Sequence, residues 1–452
     1  MMATTTSKQV YVWTWLPGST DPVPAGVLER RGGSVDLSFR YGEQYRERLN
    51  AVPLYNMPID GPTWHEASHN LKMPAAIRDA SPDSWGRRVI LQRLDPASDD
   101  TEDLDEVTYL LQSGSNRLGA VDFQTSAREY EARVETAKLD QLLEAAELVQ
   151  KGMKLPGYLE RALLYGTAIG GARPKALLDD DGRQLIAKFS TSTDTYDVVG
   201  AEAASIYIAR KLGIPVTDAQ VVTSMGRKVL LLERFDRGPE GTRRPVVSGL
   251  TILNLPEQWV PSGSYPDLLD KLLQQSASAK GLGKGIFRRA AFNIAIGNTD
   301  DHLRNHAAFW DGTHLELTPA YDLSPVFRSG ETASQALALN RDGDRTSSLE
   351  TLVNAAADYR LDKGTARNIA EEVTDAIATH WEDAVEFAEM TTADQDLMWG
   401  RMFLNPGSVR SIALSAADGA QPRRKTTPAS NSGSFAERTH SAPEVVLPNA
   451  RD

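Results

Sequence analysis

The sequence predicts an α+β protein, and three observations lead to that class. Runs of β-branched and aromatic residues separated by turn-forming residues fill the first part of the chain, Val10–Trp15 being the clearest. From about residue 248 onward, apolar residues recur mainly at helical spacing. One short hairpin interrupts these helices, with strands predicted at 306–310 and 314–317 around an Asp-Gly turn.

The composition indicates a folded chain that is long enough for two or three domains. The protein has 452 residues, of which 41% are hydrophobic, and it has no cysteine, which excludes disulfides and thiolate sites. Its net charge of −12 disfavours direct nucleic-acid binding by the whole protein, because phosphate contacts dominate such affinity. No stretch approaches the roughly 18 apolar residues of a membrane span, and no signal-peptide pattern is found. We therefore expect a cytoplasmic protein with no membrane contact.

Four segments are predicted along the chain. Residues 8–125 form a small α+β subdomain, and 126–236 form a β-rich lobe with a glycine-rich loop. Residues 237–415 form a helical lobe that carries the hairpin, with its last helices at 347–358, 364–380 and about 382–402. The polar tail 416–452 is expected to be disordered, because it has little apolar surface to bury.

Within the first segment, a hairpin over residues 9–30 is followed by a strand at 35–41 and by a helix. Ser81 is predicted to cap that helix, with Pro82 as its first residue. A second run of helical pattern over 126–166 then leads to the glycine-rich loop.

Lys188 is the first residue that points to a chemistry. It ends a predicted strand–turn–strand inside an apolar run, where an unpaired ammonium group would be costly to bury. Either it reaches water from an edge strand, or it holds nucleotide phosphates as a kinase lysine does. Glu202, in the first turn of a helix predicted at 198–212, is either an acid favoured by the helix dipole or the partner of Lys188.

The remaining chemistry is concentrated around the hairpin. Asp300 precedes Asn305 by five residues, which is the spacing between the base and the metal-binding amide of protein kinases. A second acid, Asp322, follows the hairpin. Phosphoryl transfer needs a base, hard oxygen ligands for Mg²⁺ and a cation for the phosphates. The ordered set therefore predicts a protein-kinase-like two-lobed fold.

Taken together, these segments resemble the HipA family of serine/threonine kinases, the toxins of bacterial HipBA-type toxin–antitoxin modules. The resemblance covers nearly all of residues 9–405. It is carried by Tyr11-Val-Trp, Asp83-Ser-Trp-Gly-Arg-Arg, Gly170-Gly-Ala-Arg-Pro-Lys, Ile186-Ala-Lys-Phe, Glu233-Arg-Phe-Asp-Arg, Asn298-Thr-Asp-Asp-His-Leu-Arg-Asn and Tyr321-Asp-Leu-Ser-Pro.

The resemblance implies a role for each matching residue. Asp300 would be the catalytic base, His302 would order the catalytic loop, and Asn305 and Asp322 would be catalytic metal ligands. The residues implied in nucleotide binding are Gly170, Gly171, Ala172, Lys175, Lys188, Glu202 and the hinge residues Glu233, Arg234 and Phe235.

The resemblance also implies cofactors and partners. ATP and Mg²⁺ are the expected cofactors, and the substrate is expected to be a translation-related protein such as an aminoacyl-tRNA synthetase. Its phosphorylation would cause growth arrest or persistence. A HipB-like helix-turn-helix antitoxin is the expected partner, and operator DNA would be reached mainly through that antitoxin.

One position departs from the family pattern. Well-known members carry an autophosphorylated serine before the Gly-Ala of the phosphate loop, where this chain has Ala168 with Thr167 beside it. Thr167 either takes the phosphate or the switch is absent. A phosphate there would add a charge of about −1.5 to −2 beside the nucleotide.

Two other interpretations stay open. The first is a protein with a kinase fold that binds a partner without catalysis. Such a protein would have no need of all four of the residues Lys188, Asp300, Asn305 and Asp322. The second is a metal-dependent phosphohydrolase, whose mixed oxygen and nitrogen ligands would leave Lys188 unexplained. Its metal cluster would consist of Asp300, Asp301, His302, His306 and Asp322.

Overall fold

The computed structural model describes residues 9–68, 70–95, 100, 104–134, 138–151, 153, 155–157, 159, 173–180, 182–191, 193–256 and 263–413. The strands are β1 (Gln9–Trp15), β2 (Pro22–Arg30), β3 (Leu37–Tyr41), β4 (Val121–Gln124), β5 (Lys175–Asp180), β6 (Arg183–Phe189), β7 (Ala219–Ser224), β8 (Arg227–Glu233), β9 (Val246–Ser248), β10 (Ala307–Trp310) and β11 (Leu315–Leu317). The helices are α1 (Glu43–Arg46), α2 (Ala75–Arg78), α3 (Ser84–Leu94), α4 (Glu106–Gln112), α5 (Leu139–Gln150), α6 (Val198–Lys211), α7 (Gly249–Ile252), α8 (Tyr265–Gln275), α9 (Leu282–Ile296), α10 (Leu349–Asn354), α11 (Lys363–Phe387), α12 (Thr392–Met398) and α13 (Pro406–Ala413).

The N-terminal subdomain is built on an antiparallel sheet in the order β3-β2-β1-β4. The hairpin predicted over residues 9–30 is present as β1 and β2. The start of α3 differs from the prediction. Asp83, not Ser81, caps the helix, because its side chain accepts a hydrogen bond from the amide of Gly86.

The first kinase-like lobe contains an antiparallel sheet in the order β5-β6-β8-β7. Met225 and Gly226 form the β7–β8 turn with φ of 49° and 75°, the positive values that a two-residue hairpin turn requires. Within the helical pattern predicted over 126–166, the structure describes helix α5, and the continuation of the pattern after Pro156 lies largely outside the described residues. Helix α3 of the N-terminal subdomain shares one hydrophobic core with this sheet.

The second lobe is mainly helical. Helix α9 is almost fully buried at its centre, and α11 runs without interruption through the boundary predicted near residue 381, because Trp381 and Ala384 continue its buried stripe. The sequence did not reveal β9, which is only three residues long and adds a third strand to the predicted hairpin in the order β11-β10-β9. Helices α6 and α11 pack together across the lobes.

Two further expectations concern the chain as a whole. Among the helices of the described ranges, none is long and apolar enough to cross a membrane. The tail expected at 416–452 lies outside the described residues.

Candidate active site

The loop that carries Asp300 begins where α9 ends. Gly297 terminates the helix with φ of 78°, and a Cβ there would lie 2.9 Å from the carbonyl oxygen of Met402. Asn298 follows and donates from Nδ2 to Asn293 Oδ1 at 3.0 Å and to the carbonyl of Asp322 at 3.3 Å. This buried amide therefore ties the loop to the second acidic segment. Sequence reasoning assigned no role to Asn298 itself, although it lies within the motif.

Asp300 is exposed and is therefore accessible from solvent. Partial burial raises the pKa of Asp300 above its ordinary range, and the carboxylates of Asp322 and Asp301 raise it further. His302 opposes that rise. His302 Nδ1 is buried and has no hydrogen-bond partner within the described part of the chain. Asp300 thus has the surroundings of a proton acceptor, with His302 beside it.

Asp301 points in the opposite direction, into the core. Its Oδ2 accepts a hydrogen bond from Asn293 Nδ2 at 2.6 Å, lies 3.0 Å from His306 Nε2, and also accepts from the Tyr265 hydroxyl. Asp301 and His306 are both 2% exposed. These contacts hold the loop to the core of the second lobe. They keep the Asp301 side chain buried, whereas that of Asp300 is exposed. Nowhere in the described ranges do three or more His, Asp or Glu side chains form a group suited to a metal ion.

Lys188 connects the two lobes at the site. Its Nζ lies 2.6 Å from Glu202 Oε1 on α6 and 2.6 Å from Asp322 Oδ1. Asp322 adopts φ of 58°, a left-handed conformation that is uncommon for a residue other than glycine. The structure therefore brings together a strand lysine, a helix glutamate 14 positions later and an acid 134 positions after the lysine.

Charge accounts for the ionisation of this cluster. Burial alone would lower the pKa of Lys188, but Asp322 and Glu202 raise it above its usual range. Burial would likewise raise the pKa of Asp322, yet Lys188 and Lys175 hold it well below its usual range. Asp322 is consequently an ionised carboxylate at neutral pH.

Asn305 and Asp322 carry the oxygens that fit a divalent cation. Asn305 is buried in the 3₁₀ turn 303–305, and its Nδ2 donates to the carbonyl of Asp300 at 3.3 Å. In the described part of the molecule, neither Asn305 Oδ1 nor Asp322 Oδ2 accepts a hydrogen bond. An amide oxygen and a carboxylate oxygen are ligands that Mg²⁺ accepts, so the donor set fits that ion.

The hinge presents backbone groups rather than side chains. The amide of Glu233 donates to Asp218 and that of Arg234 to Gln184, each at 2.9 Å. By contrast, the carbonyl of Glu233 and the amide of Phe235 have no hydrogen-bond partner among the described residues. An acceptor and a donor two residues apart would fit the edge of an adenine ring.

The side chain of Arg234 is directed toward the N-terminal subdomain. It is 3% exposed, and it donates to Asp236 and to the carbonyls of Asn116 and Arg117 in the N-terminal subdomain. If Arg234 contributes to nucleotide binding, only its backbone is available to do so. Sequence reasoning gave no separate role to Asp236, the centre of this network, although it belongs to the same motif.

The glycine-rich loop, predicted to bind phosphate, is only partly described. Gly170, Gly171, Ala172, Thr167 and Ala168 lie outside the described residues. Lys175 is described and is 6% exposed. It is the Cα partner of Lys188 on the neighbouring strand, so both lysines are on the same face of the sheet.

Comparison with known proteins identifies related domains in the same order. Residues 19–124 match the family model of the HipA N-terminal domain, and residues 167–381 match that of the HipA-like C-terminal domain. Toxin YjjJ of Escherichia coli is 27% identical over 183 residues, which cover 38% of this chain and 40% of YjjJ. The serine/threonine-protein kinase toxin HipA of Shewanella oneidensis is 26% identical over 186 residues, 35% of this chain and 43% of that protein. The chain thus spans less than half the length of these two relatives.

A solved structure extends the likeness to most of the chain. A chain of the Shewanella oneidensis HipA, HipB and operator DNA complex superimposes with a TM-score of 0.63, covering 89% of this chain and 99% of that one, at 18% identity. The predicted α+β, kinase-like fold is thereby confirmed. With both domain models matched in order, the chain belongs to the HipA family.

Proposed function

We propose that this protein is a Mg²⁺- and ATP-dependent serine/threonine protein kinase that acts as the toxin of a type II toxin–antitoxin system. One observation carries the proposal: Lys188 is hydrogen-bonded to both Glu202 and Asp322. A protein that only binds another protein has no need to bury a lysine between two acids from different lobes. Asp300 and Asn305 complete the set that phosphoryl transfer requires.

Each side chain has a task in this reaction. Bound ATP supplies the phosphoryl group, and Mg²⁺ neutralises the charge on it. Asp300 accepts the proton of the substrate hydroxyl, helped by a raised pKa that brings its basicity closer to neutral pH. Asn305 and Asp322 hold the metal through their oxygens, and Lys188 holds phosphate oxygens. The free carbonyl of Glu233 and the free amide of Phe235 bind the adenine.

The proposed partner is a HipB-like helix-turn-helix antitoxin. Support comes from the matched HipA N-terminal domain and from the likeness to a chain crystallised with HipB and operator DNA. The net charge of −12 makes the antitoxin, not this chain, the main DNA contact. The proposed substrate is a translation-related protein such as an aminoacyl-tRNA synthetase, and its phosphorylation would produce growth arrest or persistence.

Phosphotransfer from γ-labelled ATP with Mg²⁺ tests the proposal, with wild type beside Asp300→Ala and the modified sites located by mass spectrometry. We expect label on the wild type or an added substrate and none with the variant. Label at Thr167 would support the family's regulatory switch, and label only elsewhere would remove it. If wild type binds nucleotide but transfers no phosphate to itself or to candidate synthetases, the protein is a catalytically silent binding protein instead.

The toxin role is tested in cells. Induced expression of wild type should arrest growth, and co-expression of the cognate helix-turn-helix protein should relieve the arrest. Asp300→Ala should be harmless at equal protein level. Equal growth inhibition by both forms would separate toxicity from kinase activity and contradict the proposed mechanism.

A further inference from the structure

Asp79 of the N-terminal subdomain is hydrogen-bonded to the second lobe through both of its carboxylate oxygens. It follows directly after helix α2. Its Oδ2 accepts from the amide of Ser248 at 2.7 Å, and its Oδ1 accepts from the hydroxyls of Ser248 and Thr251, each at 2.8 Å. One side chain of the N-terminal subdomain therefore holds one short stretch of the second lobe.

This contact fixes the start of helix α7. Ser248 is the N-cap of α7 and accepts the amide hydrogen of Thr251 at 3.2 Å. It also ends β9, an outer strand of the three-stranded sheet, and Asp79 accepts the amide that the outer side of that strand presents. Ser248 and Thr251 are 5% and 1% exposed, so water would not readily replace the carboxylate as their acceptor.

Helix α7 in turn contacts the 3₁₀ turn 303–305, which carries Asn305. The amide of Gly249 donates to the carbonyl of His306 at 2.6 Å. A Cβ on Gly249 would lie 2.8 Å from the carbonyl oxygen of Leu303, so the two backbones are in direct contact. A shift of α7 would therefore displace the turn and with it the proposed metal ligand.

We propose that Asp79 is a positioning residue that holds α7 against the turn 303–305 and so keeps Asn305 in place to bind a metal ion. The link is short because two consecutive amides form it. The amide of Ser248 donates to Asp79, and that of Gly249 donates to the carbonyl that follows the turn. The inference rests on the proposed function, to which the metal role of Asn305 belongs.

Two substitutions disturb this link from opposite ends. Asp79→Ala removes the acceptor of three buried donors, whereas Gly249→Ala leaves Asp79 intact and places a methyl group against the turn. Asp105→Ala is the matched control from the same subdomain. Asp105 also accepts a backbone amide hydrogen, that of Val107, and it pairs with Arg30, so its bonds in the described part of the chain stay within the subdomain.

Two measurements on the full chain report on the link and on the metal site. Hydrogen–deuterium exchange of the nucleotide-free protein, read by mass spectrometry, reports how firmly the peptide spanning residues 300–307 is held. The dissociation constant for ATP is measured with Mg²⁺ and again with EDTA. The ratio of the two constants isolates the contribution of the metal, and thermal unfolding establishes that each variant is folded at the assay temperature.

In Asp79→Ala, we expect the 300–307 peptide to exchange faster than in wild type. ATP binding with Mg²⁺ should weaken about tenfold, a typical coupling between distinct sites, and should be nearly unchanged in EDTA. Gly249→Ala should give the same pattern, and Asp105→Ala should match wild type. Asp79→Asn should recover much of the loss, because its oxygen can accept from the amide of Ser248 and its NH₂ group can donate to the two hydroxyls.

Other results would overturn the inference. Wild-type exchange of the 300–307 peptide in Asp79→Ala would limit Asp79 to docking the subdomain. Equal weakening of ATP binding with and without Mg²⁺, or the same changes in Asp105→Ala, would indicate a general structural defect. A wild type whose ATP affinity does not depend on Mg²⁺ would instead overturn the proposed function, an outcome that is distinguishable because it needs no variant.

Discussion

Replacement of Asp236 by asparagine should strongly destabilise the protein, although Asp236 lies outside the candidate active site. It is 2% exposed and accepts hydrogen bonds from Arg234 Nε at 2.9 Å, Arg234 Nη2 at 2.7 Å, Arg237 Nη1 at 2.8 Å and the amide of Gly119 at 2.7 Å. Two buried guanidinium groups thus share one carboxylate between the hinge and the N-terminal subdomain. In Asp236→Asn both would remain buried without that charge.

The expected cost follows from this geometry. Removing one partner of a buried ion pair typically destabilises a protein by about 3–5 kcal/mol, because the remaining charge stays uncompensated. Burial alone would raise the pKa of Asp236, but Arg234 and Arg237 hold it well below its usual range. A carboxylate with a depressed folded-state pKa stabilises the protein above its unfolded-state pKa of about 4. That stabilisation is lost as the pH falls through the folded-state pKa.

Urea unfolding at pH 7 measures the effect, with Asp218→Asn as control. The Asp218 side chain is 81% exposed in its pair with Arg210, and such surface pairs contribute at most about 1 kcal/mol. The difference between wild type and Asp236→Asn should be full at pH 7 and should shrink in acid. A loss below about 1 kcal/mol at pH 7, comparable with the control, would refute the assignment of this network as a structural link.

Four further predictions concern the candidate site and a contact between the lobes. Asp300→Asn should lower kcat about a thousandfold, because the reaction loses its general base. A nucleotide titration should show that the variant still binds ATP. Loss of ATP binding would contradict the assignment of Asp300 as the base. In the wild type, kcat should fall on the acid side as Asp300 protonates, with a midpoint above the ordinary Asp value because its pKa is raised, and a pH profile of kcat checks the sign. Lys188→Met should abolish measurable phosphotransfer and destabilise the protein, because Glu202 and Asp322 lose their shared cation. Adding Glu202→Gln should recover part of the lost stability, and strictly additive changes in the free energy of unfolding would argue against coupling between the two residues. Lys228→Met removes an ammonium group that donates to Asp197 at 2.5 Å and to the carbonyls of Ala388 and Glu389, just after α11. Thermal unfolding should show a loss of about 1–3 kcal/mol, and an unchanged melting temperature would show that this link between the lobes is dispensable.

Local chemistry explains why much of the fold could be predicted. The hairpins at β1–β2, β7–β8 and β10–β11 carry turn residues between β-rich runs, and the turn type depends on those residues alone. Helix α6 was bounded correctly because its apolar pattern ends at Gly213. Strand β9 was missed because three residues are too few to show the alternation of apolar and polar residues that is typical of a strand. Its formation depends on pairing with β10, about sixty residues away.

The two aspartates at 300 and 301 show the limit for the site. Neighbours in sequence, they are chemically identical, and the metal-cluster hypothesis used both. Only packing separates them: Asp301 enters a buried pocket lined by Tyr265, Asn293 and His306, while Asp300 stays exposed. A spacing rule identifies which residue types are present, but the direction of each side chain depends on partners from other elements.

The sequence by itself determined the α+β class, the order of the lobes and the set of candidate residues, because these follow from periodicity, turn chemistry and motif spacing. The tertiary structure decided which of those residues meet. Lys188, Glu202 and Asp322 come from a strand, a helix and a loop up to 134 positions apart, and they lie within hydrogen-bond distance only after both lobes have packed.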